Sequence, residues 1–248
     1  MNKEFEGKNV LITETIRSII LDFGKIDVLV QAAGLLRGKP ALKITENEWD
    51  QMLNVNAKGT FFIMQETVRR SMQFHGGSII NLASMAGIRG MRKGMEAAHY
   101  SASKGAVTAL TMQAATEWAD KGVRVNCIAP GGIKTKAMEE LKFEGALNPV
   151  PLGRLSDPED IAHAVLFLSG EKSAMITGQT LIIGGIFGNE MPEGFCAMAW
   201  QALVMPVNVL VGGGKVLGLD ERHIACCTDG VRPAIFLLER VEDREEGK

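Results

Sequence analysis

A tyrosine at position 100 is followed four residues later by a lysine, in the stretch HYSASKGAV. If this stretch opens a helix, both side chains share one face. An unaided phenol titrates near pH 10, so acid or base work near neutrality requires a neighbour that stabilises the phenolate. An ammonium one helical turn away is such a neighbour. Tyr100 is the only tyrosine in the chain. Ser84 follows an apolar run and is placed to donate a hydrogen bond to a substrate oxygen, and Asn56 lies within a long predicted helix. Taken singly, each has a plainer reading. A serine after a strand is usually a turn or cap residue, and a mid-helix asparagine is usually solvated or bonded to backbone.

The elements that must position these residues follow from apolar periodicity. Residues 8–13 (KNVLIT) and 26–30 (IDVLV) are short buried-strand runs, and Ile16, Ile19, Ile20 and Phe23 between them share a helical face. Thr45 and Glu48 form a capping box opening a helix that runs to about Met72, where Gly76-Gly77 stops it. SIINLAS then reads as a strand, 85–95 as a loop, 99–121 as a helix and VRVNCIA as a strand. After a proline-marked irregular segment come a helix in DPEDIAHAVLFLSG and a strand in QTLII. This alternation predicts an α/β fold in which helices cover both faces of a doubly wound parallel sheet. Ligands are expected at the carboxyl ends of its strands. Beyond about residue 187 the pattern changes: Phe195 to Leu210 reads as helical, a glycine cluster follows at 212–214, and the chain closes in a strand-like run and a charged tail. The expected division is a domain over 1–187 and a small α+β appendage over 188–248.

Composition excludes several classes of function. A net charge of -2 and a pI near 6.1 give no electrostatic footprint for nucleic acid or anionic lipid. No stretch has the apolar length of a membrane span or signal peptide, and four cysteines are too few for a disulfide framework. A cytoplasmic protein acting on small molecules is expected. VGGGKV at 211–216 lacks the first glycine of a phosphate loop and has Val216 where a magnesium-binding hydroxyl is needed. Cys196, His223, Cys226 and Cys227 lack zinc-site spacing, so no metal is expected.

The order Asn56, Ser84, Tyr100, Lys104 and then Pro130-Gly131, set within DVLVQAAG, LNVNAKGTFF, GGSIINLAS, YSASK, RVNCIAPGGIKT and ITGQTLII, resembles the short-chain dehydrogenase/reductase family over residues 3–187. The resemblance implies a Rossmann-type sheet, NAD or NADP as cofactor, and interconversion of a small alcohol and its ketone. By resemblance, Tyr100 exchanges the proton, Lys104 lowers its pKa and holds the nicotinamide ribose, Ser84 orients the substrate oxygen, and Asn56 supports a proton-relay water. Ala33 and Gly34 lie near the adenine-side ribose, and Pro130, Gly131, Ile133 and Thr135 near the nicotinamide and phosphates. The helices at 46–73 and 99–121 resemble those that build the family's homodimers and homotetramers.

Three departures stand out. Gln31 replaces the family's usual asparagine, and the Ser84-to-Tyr100 loop is slightly long. The third is larger: Thr13 is followed at once by Glu14, where the family has a glycine-rich loop, two helices and two strands. Glycine-loop amides hold the dinucleotide pyrophosphate. Two or three charge-assisted bonds contribute ~3 to 9 kcal/mol, whereas a micromolar ligand is held by about 8 kcal/mol in all. Glu14 adds a carboxylate where a phosphate would sit. The truncated site predicts weak or absent dinucleotide binding. Residues 190–241 resemble the carboxyl-terminal half of a small family of uncharacterised prokaryotic proteins, so the chain reads as a fusion of two incomplete pieces. Its function is then that of a short-chain oxidoreductase with an impaired cofactor site, a catalytically inactive binding or assembly protein, or a rearranged gene product.

Overall fold

The computed structural model describes residues 16–91, 95–134, 150–184, 208–211 and 215–217. The expected first strand at 8–13, with Thr13 and Glu14, lies outside the described residues, as do Cys196, His223, Cys226 and Cys227.

Four strands form the parallel heart of the sheet: β1 (Val28–Gln31), β2 (Gly77–Leu82), β3 (Val123–Pro130) and β4 (Thr180–Ile183). Helices cover both of its faces, as the alternating pattern predicts. On one face, Ile16 and Ile19 of α1 (16–23), Met64 and Val68 of α3 (Gly59–Arg70) and Ala114 and Ala115 of α4 (Ala98–Trp118) enclose Leu29, Ile79 and Val125. On the other, α5 (Pro158–Ser169) brings Leu168 onto Val30, Ile80 and Ile128. Burial on both sides accounts for the consecutive apolar residues at 28–30, 79–80 and 127–129, which do not alternate with polar ones. β2 and β3 begin on facing turns: Gly76 and Gly122 take φ of 78° and 68°, and a Cβ on Gly76 would lie 2.9 Å from the Gly122 carbonyl oxygen.

A buried polar chain crosses the first face. Gln31 Nε2 donates to Asn81 Oδ1 (2.9 Å) and to the Thr60 carbonyl (3.2 Å), and Asn81 Nδ2 donates to Thr111 Oγ1 (2.9 Å). The three side chains are almost fully buried, and their amides are matched donor to acceptor, as such burial demands.

The end of the expected 195–210 helix requires correction. Asn208–Val211 is a strand (β5), antiparallel to β1, and Lys215–Leu217 (β6) pairs with it, giving the order β4-β3-β2-β1-β5-β6. Helical periodicity read from Phe195 onward ignores that, among the described residues, only β5 pairs with the side of β1 away from β2. A segment carrying Val209 and Val211 suits that place.

The long helix is interrupted in a way that matters for the site. The capping box forms as expected: the Thr45 side chain accepts from Glu48 N–H, and the Glu48 carboxylate accepts from Thr45 N–H (2.9 Å). With Lys39 also bonded to it, Glu48 is held at a pKa of about 2. The helix α2 (Glu46–Leu53) then widens into a π turn at Asn54–Lys58 before continuing as α3. Thr45→Ala should cost about 1 kcal/mol, the usual effect of losing an N-cap side chain. Urea unfolding checks this, and an unchanged midpoint would show the box contributes nothing.

Candidate functional site

The site forms where β1 and β2 end, against the first turns of α4. Ser84 and Tyr100 meet there, with the Ser84 hydroxyl placed to favour the Tyr100 phenolate. Ser84 also accepts from Ala86 N–H (3.2 Å) at the start of a single 3-10 turn, Met85–Gly87. Tyr100 lies in the first turn of α4, and Lys104 Nζ sits 5.9 Å from the centre of its ring. The shared face inferred from their spacing is therefore present.

Burial acts on both titrating groups. It raises the Tyr100 phenol above its usual range, opposed by the Ser84 hydrogen bond, and it lowers the Lys104 ammonium to about 8, opposed by nearby Cys127. The resemblance implies a lysine that lowers the phenol. In this geometry desolvation outweighs every other influence on Tyr100, and the hydrogen bond working against it comes from Ser84. Lys104 spends one of its three donors on the Leu82 carbonyl (2.8 Å).

Asn56 occupies the π turn and is buried there. Its Nδ2 donates to the Leu35 carbonyl (2.9 Å) and to Ser103 Oγ (2.8 Å), while its Oδ1 accepts from Leu35 N–H (2.7 Å). Ser103 Oγ in turn donates to the Tyr100 carbonyl (2.7 Å). Asn56 thus ties the loop after β1 to the helix turn that bears Tyr100. Ser103, fully buried, is a participant that motif matching passed over. Its signal was its place inside YSASK, one residue before Lys104.

Ala33 and Gly34 lie in the loop after β1. A Cβ on Gly34 would stand 3.2 Å from Lys104 Nζ and 3.5 Å from Asn56 Oδ1, so this loop lies directly against the ammonium. Pro130 ends β3, Gly131 N–H donates to the Ile183 carbonyl (2.7 Å), and Ile133 bridges to Ser156. Thr135 lies outside the described residues. Among the described residues, no group of three or more His, Cys, Asp or Glu is placed to hold a metal ion, and no helix is long and apolar enough to cross a membrane.

The sequence profile of the enoyl-(acyl carrier protein) reductase family matches residues 9–185. The chain belongs to the short-chain dehydrogenase/reductases. Within this family it is 39% identical over 177 residues to the 3-oxoacyl-[acyl-carrier-protein] reductase FabG of Thermotoga maritima, covering 70% of this chain and 71% of that protein. It is 36% identical over 176 residues to the 2-dehydro-3-deoxy-D-gluconate 5-dehydrogenase of Dickeya dadantii, covering 68% of each. Among solved structures, ElxO with NADP bound superposes with a TM-score of 0.67 at 32% identity, covering 71% of this chain and 73% of that one. The short-chain dehydrogenase/reductase relatives are thus reductases and dehydrogenases by name, and one of them holds NADP.

The nicotinamide-ribose half of such a dinucleotide fits these residues. Lys104 keeps two donors beyond its bond to Leu82, and the side-chain-free Gly34 lies against it. Thr13 and Glu14, where the pyrophosphate half is expected to lack its glycines, lie outside the described residues.

Proposed function

We propose that the chain is an NAD(P)-dependent short-chain oxidoreductase that interconverts a small alcohol and its ketone. The observation carrying this is the convergence of Ser84 from the turn after β2, Tyr100 and Lys104 from α4, and Asn56 from the π turn onto one end of the sheet. When bound, the dinucleotide supplies or accepts a hydride. The chain's own residues do the rest. Ser84 holds the substrate oxygen, Tyr100 gives its phenolic proton to that oxygen or takes it back, and Lys104 offers its free donors to the nicotinamide ribose. Asn56 holds the loop after β1 against Lys104 and supports the water that returns the proton. Burial keeps the phenol protonated until a substrate oxygen receives its proton. Ala33, Gly34, Pro130, Gly131, Ile133 and Thr135 complete the cofactor side.

A second reading is favoured by one sequence observation, Glu14 directly after Thr13 where the family has its glycine loop. In that reading the chain keeps the fold and serves as a binding or assembly protein. Trp49, Val55 and Met112, each at least two-fifths exposed on α2, the π turn and α4, support assembly of a homodimer or homotetramer in the cytoplasm. Residues 188–248 are then a fused segment with a role of their own.

Titration of the full chain with NADH and NADPH, read by nicotinamide fluorescence, separates the two. If the chain is an oxidoreductase, its truncated site is expected to bind cofactor in the millimolar range, about 4 kcal/mol weaker than a micromolar site. Micromolar saturation would overturn that expectation and show that another surface replaces the glycine loop. No binding at millimolar cofactor would leave assembly as the function, to be followed by light scattering.

A further inference from the structure

The turn that carries Ser84 lies unusually close to α4. A Cβ placed on Gly87 would stand 2.5 Å from both the Lys104 carbonyl carbon and the Gly105 amide nitrogen, and 2.9 Å from the Lys104 carbonyl oxygen. These are backbone atoms inside a helix of 21 residues whose Val107, Thr111, Ala114 and Ala115 are buried. The helix therefore has little freedom to yield. Gly105 completes the contact from the other side, since a Cβ there would stand 3.2 Å from the Gly87 carbonyl oxygen.

The turn itself is tied into one piece. Gly87 N–H donates to the Ser84 carbonyl (3.0 Å), Ala86 N–H to Ser84 Oγ (3.2 Å) and Ile88 N–H to the Met85 carbonyl (3.0 Å), while Ala83 N–H donates to the Ile128 carbonyl of β3 (2.8 Å). A displacement at Gly87 is consequently passed to Ser84.

We propose that Gly87 is a positioning residue: having no side chain, it lets the turn rest directly on the Lys104–Gly105 backbone, and that contact sets the Ser84 hydroxyl against the Tyr100 phenol. The inference rests on the Ser84–Tyr100 pair of the proposed function and deepens it. Gly87 touches neither substrate nor cofactor and acts through Ser84. Any side chain at position 87 drives the turn off the helix and opens the pair.

The test uses the chain's single tyrosine. Protein labelled with 13C at the tyrosine ζ carbon gives one resonance, and its shift against pH reports Tyr100 ionisation without any need for turnover. Ser84→Ala should move the midpoint upward, because the Ser84 hydrogen bond favours the phenolate. Gly87→Ala should move it in the same direction, and the double variant no further than Ser84→Ala alone. A folded Gly87→Ala that titrates like the wild type beside a shifted Ser84→Ala overturns the positioning role. An unshifted Ser84→Ala instead removes the Ser84–Tyr100 pair itself, and the inference with it. Should Gly87→Ala fail to fold, Gly105→Ala displaces the same contact by only a few tenths of an ångström. A smaller rise is expected from it, and no rise overturns the proposal.

Discussion

Tyr100→Phe removes the proton donor and leaves the rest of the site standing, so carbonyl reduction by the full chain should fall by about 10³-fold, within the range that positioned general acids contribute. The loss should appear in kcat with little change in cofactor affinity, because the phenylalanine ring fills the same space beside Lys104 and only the hydroxyl disappears. Ser84 keeps its bond from Ala86 N–H, and Ser103 bonds the Tyr100 backbone carbonyl rather than its side chain, so the first turn of α4 is not disturbed. Far-UV circular dichroism and the urea midpoint should match the wild type. Residual turnover within tenfold would mean that the proton comes from elsewhere, and the assignment of Tyr100 would fall. A wild-type chain silent on every ketone with either cofactor would point to the assembly reading, for which Tyr100→Phe should leave oligomer mass unchanged.

The second large effect concerns stability against pH, where two buried groups pull in opposite directions. Burial lowers Lys104 from 10.5 to about 8 and raises Cys127 from 9.0 to about 11. For Lys104 the folded value lies below the unfolded one. Below about 8 the folded protein bears the whole cost of an enclosed ammonium, about 3 kcal/mol, and that cost is relieved as pH rises to about 10.5. For Cys127 the folded value lies above the unfolded one. Its contribution, about 3 kcal/mol, is fully present below about 9 and lost as pH rises through about 11. Across the window they share, the two slopes nearly cancel, and the wild type should show a flat profile there. Lys104→Met exposes the falling slope, and Cys127→Ala the rising one. Urea midpoints at intervals from pH 7 to 11 would reveal this, and three parallel curves would sink the account.

Much of the fold could be read from local pattern. The strands at 28–31, 77–82, 123–130 and 180–183 announce themselves as apolar runs between turn residues, and the helix beginning at Glu46 announces itself through Thr45 and Glu48. What escaped depends on contacts between distant segments. The π turn at 54–58 has no compositional signature, because what holds it is Asn56 bonding to Leu35 and Ser103, 21 and 47 residues away. Gly87 looked like an ordinary loop glycine, and its constraint appears only when Lys104 and Gly105 are brought against it. The strand at Asn208–Val211 pairs with β1, a partnership invisible to any window that does not contain both segments. At the site, the spacing of Tyr100 and Lys104 was enough to pair them on one face, whereas the balance of burial against hydrogen bonding on the phenol required the third dimension.

The polar chain from Gln31 through Asn81 to Thr111 acts as a key cut into the sheet. Sliding β1 by a single residue along β2 would turn Gln31 to the opposite face and leave the Asn81 amide without its match in a place closed to water. The alignment of the two central strands is therefore recorded between them and does not depend on whichever strand lies outside β1. A sheet keyed from within can exchange its border, accepting an antiparallel neighbour such as β5, without the end that bears Ser84 losing its alignment.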